Sequence, residues 1–247
     1  MLEEFYKSIN EALTSNDDIL IKLRTLRDIT QSSLQINAFR LHCLESVLNT
    51  IDNWKDQEKP WNAPPIYFNE KLNYSIRLIF WPAFYENNPH KHKTWSVTGV
   101  FHNELNIHTY TMLENPMRLK KERTIIAECG QTGYLTTGCI HNVNNPSHNL
   151  SASLHIFNNI NNTNQPEENA IWYPSPRKHN LSKGLIERAL LTSLSIAETI
   201  QTEQAFDLID RIYISSPLNI KIMAVKSLYQ FDRTYARSRF NELEITL

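Results

Sequence analysis

The sequence predicts a mainly β protein, a small barrel with helices before and after it. Three observations carry that prediction. Apolar residues recur with a helical period at both ends of the chain, but alternate between about Ile66 and Phe157. The middle segment consists of short runs of β-branched and aromatic residues broken by Asn, Pro and Gly. Within it, two separated histidine segments have the spacing of a metal site shared between strands.

The elements follow in chain order. Residues 2–54 read as helical. Leu20, Leu23, Leu26 and Ile29 recur at three-residue spacing behind Asn16 or Asp17 as N-cap, and a second helix fits 36–53, with Phe39, Leu41, Leu44, Val47, Leu48 and Ile51 on one stripe. Lys59–Pro65 holds three prolines and ends any helix. Strands are expected at Tyr74–Trp81, Thr94–Phe101, Asn106–Met112, Arg123–Glu128, Gly138–Val143 and Ser151–Phe157. Several short strands so spaced suggest a barrel or sandwich. With only five glycines, Asn is expected at the turns, since it tolerates positive φ. Asn158–Glu168 reads as an exposed loop. Helices then fit a segment beginning near Leu185, with Ser182 as N-cap, and the segments 203–212 and 217–230. The expected organisation is N-terminal helices over 1–58, a barrel carrying the metal site over 59–178, and a C-terminal helical extension over 179–247.

Composition excludes several function classes. Net charge is −1, from 25 basic and 26 acidic residues, so no broad basic surface for nucleic acid is expected. Three cysteines make no disulfide framework. No apolar run approaches the roughly 20 residues that span a bilayer, and the acidic start, Met1-Leu-Glu-Glu, is no signal peptide. A cytoplasmic protein without a membrane partner is the expectation. Phosphate-binding glycine loops, paired-Cys zinc motifs and a Gly-x-Ser-x-Gly elbow are all missing from the sequence.

The chemistry lies in the histidines. In His90-Lys91-His92 the two imidazoles leave the same face of a strand. Gly130-x5-Thr136-x-Gly138-x2-His141-x3-Asn145 supplies a third from a distant strand. Neutral imidazole ligates Fe, Zn, Cu and Ni alike. A carboxylate shortly after His92 would complete a two-His-one-carboxylate triad; Ser96 and Val97 stand there, so the expected site is three-His. Ser153, His155 and Phe157 share one strand face, on which the Ser153 hydroxyl can orient His155 toward a metal-bound ligand. If Ile79 and Trp81 face inward, alternation puts Arg77 on that side too, where it either holds a substrate carboxylate or remains a salt-bridging residue. Cys139 either lines the pocket or fills core space. His102 and His108 are expected to be solvated near a turn at Asn103-Glu104, His42 to be structural, and His148 to lie in a loop.

Over roughly Ile66–Phe157 the chain resembles the cupin superfamily, and within it the thiol dioxygenases, meaning cysteine dioxygenase and its bacterial 3-mercaptopropionate relatives. The resemblance lies in Leu78-Ile-Phe-Trp81, in Pro89-His-Lys-His-Lys-Thr-Trp-Ser-Val-Thr-Gly-Val100, in Gly138-Cys-Ile-His-Asn-Val-Asn-Asn-Pro146, and in Ser153-Leu-His-Ile-Phe157. It implies a double-stranded β-helix in which His90, His92 and His141 ligate Fe(II), and Ser153 and His155 form a relay beside the iron. It also implies a small thiol and O2 as substrates and a sulfinic acid as product. Two family features are absent. Phe157 replaces the relay tyrosine, and Asn69, two residues after Tyr67, replaces the arginine that holds a substrate carboxylate. The expected pocket residues are therefore Tyr67, Arg77, Trp81, Cys139 and Phe157, with cysteine in doubt as substrate. The alternatives are a binding or interaction module that keeps the barrel, its helices packing on the barrel or on a partner, and a cupin enzyme using Zn, Ni or Mn.

Overall fold

The computed structural model describes residues 1–54, 59–113, 118–159, 170–174 and 184–243. Three helices come first: α1 (Leu2–Thr14), α2 (Ile19–Leu34) and α3 (Asn37–Leu48). In α2, Leu23, Leu26, Thr30 and Leu34 are buried at helical spacing, whereas Leu20 is exposed. The cap of α2 is Asp18, one residue beyond the expected Asn16 or Asp17: its carboxylate accepts from Leu20 N and Ile21 N at 2.8 and 3.1 Å. Helix α3 stops at Leu48, and a short 3-10 turn at Ile51–Asn53 completes the stripe expected over 36–53.

Ten strands follow: β1 (Tyr67–Asn69), β2 (Tyr74–Trp81), β3 (His90–His92), β4 (Ser96–His102), β5 (Glu104–Met112), β6 (Leu119–Glu128), β7 (Thr132–Leu135), β8 (Ile140–Asn144), β9 (Ser151–Asn158) and β10 (Ala170–Trp172). They form two antiparallel sheets, ordered β1-β2-β9-β4-β7 and β10-β3-β8-β5-β6. The fold is mainly β with flanking helices, two five-stranded antiparallel sheets among the described residues. Asn73 and Asn103 take positive φ, 53° and 56°, at the turns before β2 and β5, the role expected of Asn in a glycine-poor chain. Asn158, expected in a loop, ends β9 instead, and most of that loop lies outside the described residues.

Four helices follow among the described residues: α4 (Leu185–Ile200), α5 (Glu203–Ser215), α6 (Leu218–Leu228) and α7 (Arg233–Asn241). Gly184 stands at the N-cap of α4, and Ser182 lies outside the described residues. Among the described residues no helix is long and apolar enough to cross a membrane.

Register explains why β2 and β9 are buried along nearly their whole length. Arg77 pairs with His155 and Ile79 with Ser153, so the odd-numbered residues of both strands share the inner face. Even-numbered Tyr74, Ile76, Leu78, Phe80, Ala152, Leu154 and Ile156 face outward, into one apolar cluster with α1–α3 and α4–α6. The C-terminal helices therefore pack back on the barrel. A second, smaller cluster inside the barrel joins Ile79, Trp81, Tyr85, Val100, Leu105, Val143 and Phe157.

Candidate metal centre

Two strand pairings bring the histidines together. His90 and His141 are direct partners across β3 and β8, and His92 lies two residues along β3 on the same face. Ring centroids are 4.3 Å apart for His90–His141 and 5.0 Å for each pair involving His92. The potential ligand nitrogens of all three lie within 4.8 Å of one another.

The carbonyl groups of neighbouring residues set the tautomers. His90 Nδ1 donates to Asn88 O at 3.1 Å, and His141 Nδ1 to Cys139 O at 3.2 Å. A carbonyl only accepts, so each Nδ1 carries the proton and each Nε2 keeps its lone pair. Burial lowers the pKa of all three: His141 to about 4, and His90 and His92 well below the ordinary value, with the neighbouring imidazoles adding to the effect. Neutral, anchored imidazoles are the form a metal ligand needs. Three neutral imidazoles gathered this closely are a donor set that fits a divalent transition metal.

Beside the centre, β9 supplies a relay. Trp81 Nε1 donates to Ser153 Oγ at 2.7 Å, Ser153 Oγ bonds His155 Nε2 at 2.7 Å, and His155 Nδ1 bonds Thr98 Oγ1 at 2.9 Å. Burial holds His155 down to about 3, with His141 and Arg77 as lesser contributors, so the ring is neutral. Both its nitrogens are engaged by hydroxyls. Thr98, Ser153 and His155 all line the cavity, so the relay reaches it through the hydroxyls as well as the ring. Phe157 stacks on His155 with centroids 5.0 Å apart and planes 9° apart.

The histidine centre opens into a cavity of about 430 Å³. Trp81 and Phe157 line it; Tyr67, Arg77 and Cys139 do not. Tyr67 is turned to the helical side, stacked on Tyr6 at 3.9 Å. Arg77 is buried at 3% exposure opposite His155, and its Nη1 donates to Ala63 O at 2.6 Å; burial lowers its pKa to about 10. It is therefore not a surface residue. Cys139 is half-buried and so does not fill the core, and what it contributes is the carbonyl that orients His141.

His102 and His108 correct another expectation. Both are buried, with His102 Nε2 3.1 Å from Ser195 Oγ and His108 Nδ1 3.0 Å from Thr124 Oγ1. His102 ends β4 before the hairpin turn at Asn103 and His108 lies beyond it on β5, yet α4 covers His102 and the partner strand β6 covers His108.

Several cavity residues escaped the sequence reading, Trp172, Trp61 and Asn87 among them. Trp172 stacks on His90 at 4.3 Å and is itself stacked by Trp61 at 4.9 Å. Asn87 lies three residues before His90 and also lines the cavity. A three-residue strand and an isolated Asn give no periodic signal. Among the described lining residues none is Asp, Glu, Lys or Arg.

No protein-family model and no curated protein matches the chain. Among solved structures, it is similar to oxalate oxidase in complex with the substrate analogue glycolate, at 13% identity over 63% of this chain and 64% of the other, with a TM-score of 0.33. A cupin superfamily protein from Desulfitobacterium hafniense shows 10% identity over 39% and 74%, TM-score 0.31. Drosophila melanogaster CENP-C bound to CAL1 shows 16% over 35% and 62%, TM-score 0.29. The chain spans less than two thirds of the length of the oxalate oxidase chain. Likeness this distant brings no activity or partner to this chain, so its function has to be argued from the site.

Proposed function

We propose that this protein is a metal-dependent oxidoreductase that adds O2 to the sulfur of a small, otherwise uncharged thiol, with Fe(II) held by His90, His92 and His141. The observation that carries the proposal is the convergence of three neutral imidazoles on a cavity with no ionised side chain among its described lining residues. The resemblance of the three histidine-bearing motifs to thiol dioxygenases supports the choice of reaction. We assign the chemistry to the barrel, residues 59–178, and a supporting role to the helical segments 1–58 and 179–247.

When bound, the metal supplies a Lewis-acidic centre at which thiolate and O2 meet. Three neutral ligands leave the cation's charge uncompensated, which favours an anionic sulfur over a neutral one. Both atoms of O2 end on sulfur: R–SH and O2 give R–SO2H, sulfur being oxidised and O2 reduced with no further reductant. Trp81, Trp172 and Phe157 give the space apolar walls. Ser153 and Thr98, hydrogen-bonded to opposite nitrogens of His155, form a path along which a thiol proton can be passed and held.

The departures from the family pattern limit the substrate. The carboxylate of cysteine meets no cation among the described lining residues: Asn69 replaces the expected arginine, and Arg77 Nη1 donates to the Ala63 carbonyl. A desolvated carboxylate without a partner is costly, so cysteine is disfavoured. The test is anaerobic loading with Fe(II), then O2 uptake with alkyl thiols, uncharged mercapto esters and cysteine. Uptake is expected with the uncharged thiols at a rate at least about tenfold above that with cysteine, the discrimination that an unpaired buried charge produces. No uptake with any thiol at stoichiometric iron refutes the proposal. Metal analysis of the purified protein separates iron from Zn, Ni or Mn, which the same ligands accept.

A further inference from the structure

The geometry points to Asn87 as the residue that reads the substrate's body: its side-chain NH2 donates to a neutral hydrogen-bond acceptor, such as an ester or ketone carbonyl, on the thiol held at the histidines. This deepens the function proposed above and rests on that reading.

Asn87 is 3% exposed and lines the cavity. Three hydrogen bonds fix it to β8. Its N–H donates to Val143 O at 3.0 Å, its Oδ1 accepts from Val143 N at 2.7 Å, and its carbonyl accepts from Asn142 Nδ2 at 3.2 Å. A backbone N–H can only donate, so the amide oxygen faces β8 and Nδ2 is the opposite end of the group. Nδ2 has no partner among the described residues, and it is not sealed from solvent as the Asn142 amide oxygen is. The cavity that Asn87 lines is where it is reached.

The surroundings define what it donates to. Leu105, Ile107 and Val143 line the same cavity and offer no side-chain acceptor, so a ligand there takes this donor from water rather than from those side chains. No cation accompanies it, which favours a neutral acceptor over a carboxylate. Val143 lies two residues beyond His141 and lines the cavity as His141 does, roughly 7 Å along the strand. That span matches a sulfur at the metal and a carbonyl about two or three carbons away, with one hydrogen bond to Nδ2.

The test uses protein loaded with Zn(II), which imidazoles also bind and which does not turn over. Three probes are compared: butanethiol, methyl 3-mercaptopropionate and methyl butanoate. The side-chain amide resonances of Asn87, assigned by their loss in Asn87→Asp, are expected to move with both esters and to stay with butanethiol. Methyl 3-mercaptopropionate is expected to bind about tenfold more tightly than butanethiol. Asn87→Asp, whose carboxylate still accepts from Val143 N, is expected to abolish that preference. An Asn87 amide unmoved by either ester overturns the inference, as does an unchanged preference in the variant. If methyl 3-mercaptopropionate binds no better than methyl butanoate while Asn87 responds to both, the thiol reading fails and the role of Asn87 stands.

Discussion

Ser153 shows how single atoms hold this site in place. Its Oγ is the acceptor for Trp81 Nε1 and the partner of His155 Nε2, both at 2.7 Å and both buried. In Ser153→Ala two buried polar groups lose their partner at once. Each such loss costs about 1–3 kcal/mol, so the urea midpoint is expected to fall markedly while metal stoichiometry holds. Trp81→Phe in the Ser153→Ala background removes a donor that is already orphaned, and it should cost less there than in the wild type. A double-mutant cycle measures that difference; strict additivity would show that the Trp81–Ser153 bond contributes nothing. The sequence made this set partly legible. Ser153, His155 and Phe157 follow from strand alternation, whereas Thr98 lies on β4 and meets His155 only through the register of β4 with β9.

At the level of elements, the barrel depends on helix α2 lying close against β4. Gly99 makes that approach possible: a Cβ there would collide with Leu34 Cδ1 and stand 2.9 Å from Thr132 Cγ2 and 3.3 Å from Thr30 Cγ2. Gly99→Ala is therefore expected to destabilise the protein by about 1–3 kcal/mol through overpacking, read as a lower denaturation midpoint with an unchanged m-value. A midpoint equal to wild type would mean that α2 yields freely. Elements with a long periodic signal were legible, as for β2, whose bounds Tyr74–Trp81 are those expected. Elements without one were not. β7 and β10 are only four and three residues long. Helix α7 buries only Ala236 and so shows no apolar stripe. Strand β6 starts at Leu119, earlier than the expected Arg123, because its Lys120, Lys121 and Glu122 lie on an exposed sheet edge where alternation carries no burial pattern.

Across the whole molecule, the buried histidines tie stability to pH. His102 joins the barrel to the C-terminal helices through Ser195, and burial, then Arg40, lowers its pKa to about 4. His155 is lowered to about 3 by burial first. An unfolded histidine titrates near 6.5, so between that value and about 4 the unfolded chain binds protons that the folded one refuses. Stability is therefore fully present above about pH 6.5 and is lost as pH falls toward the folded values, at about 1.4 kcal/mol per pH unit for each such group. For His102 alone the loss reaches up to about 3 kcal/mol. Carboxylates also titrate in this window, so the decisive comparison is between metal-free wild type and His102→Gln, which differ by one proton. The urea-derived stability of the variant should fall less steeply between about pH 6.5 and 4, by close to one proton's slope, and the two curves should run parallel above pH 7. Identical slopes across the window would place His102 in water in the native protein, and the packing of α4 against the end of β4 would have to be redrawn.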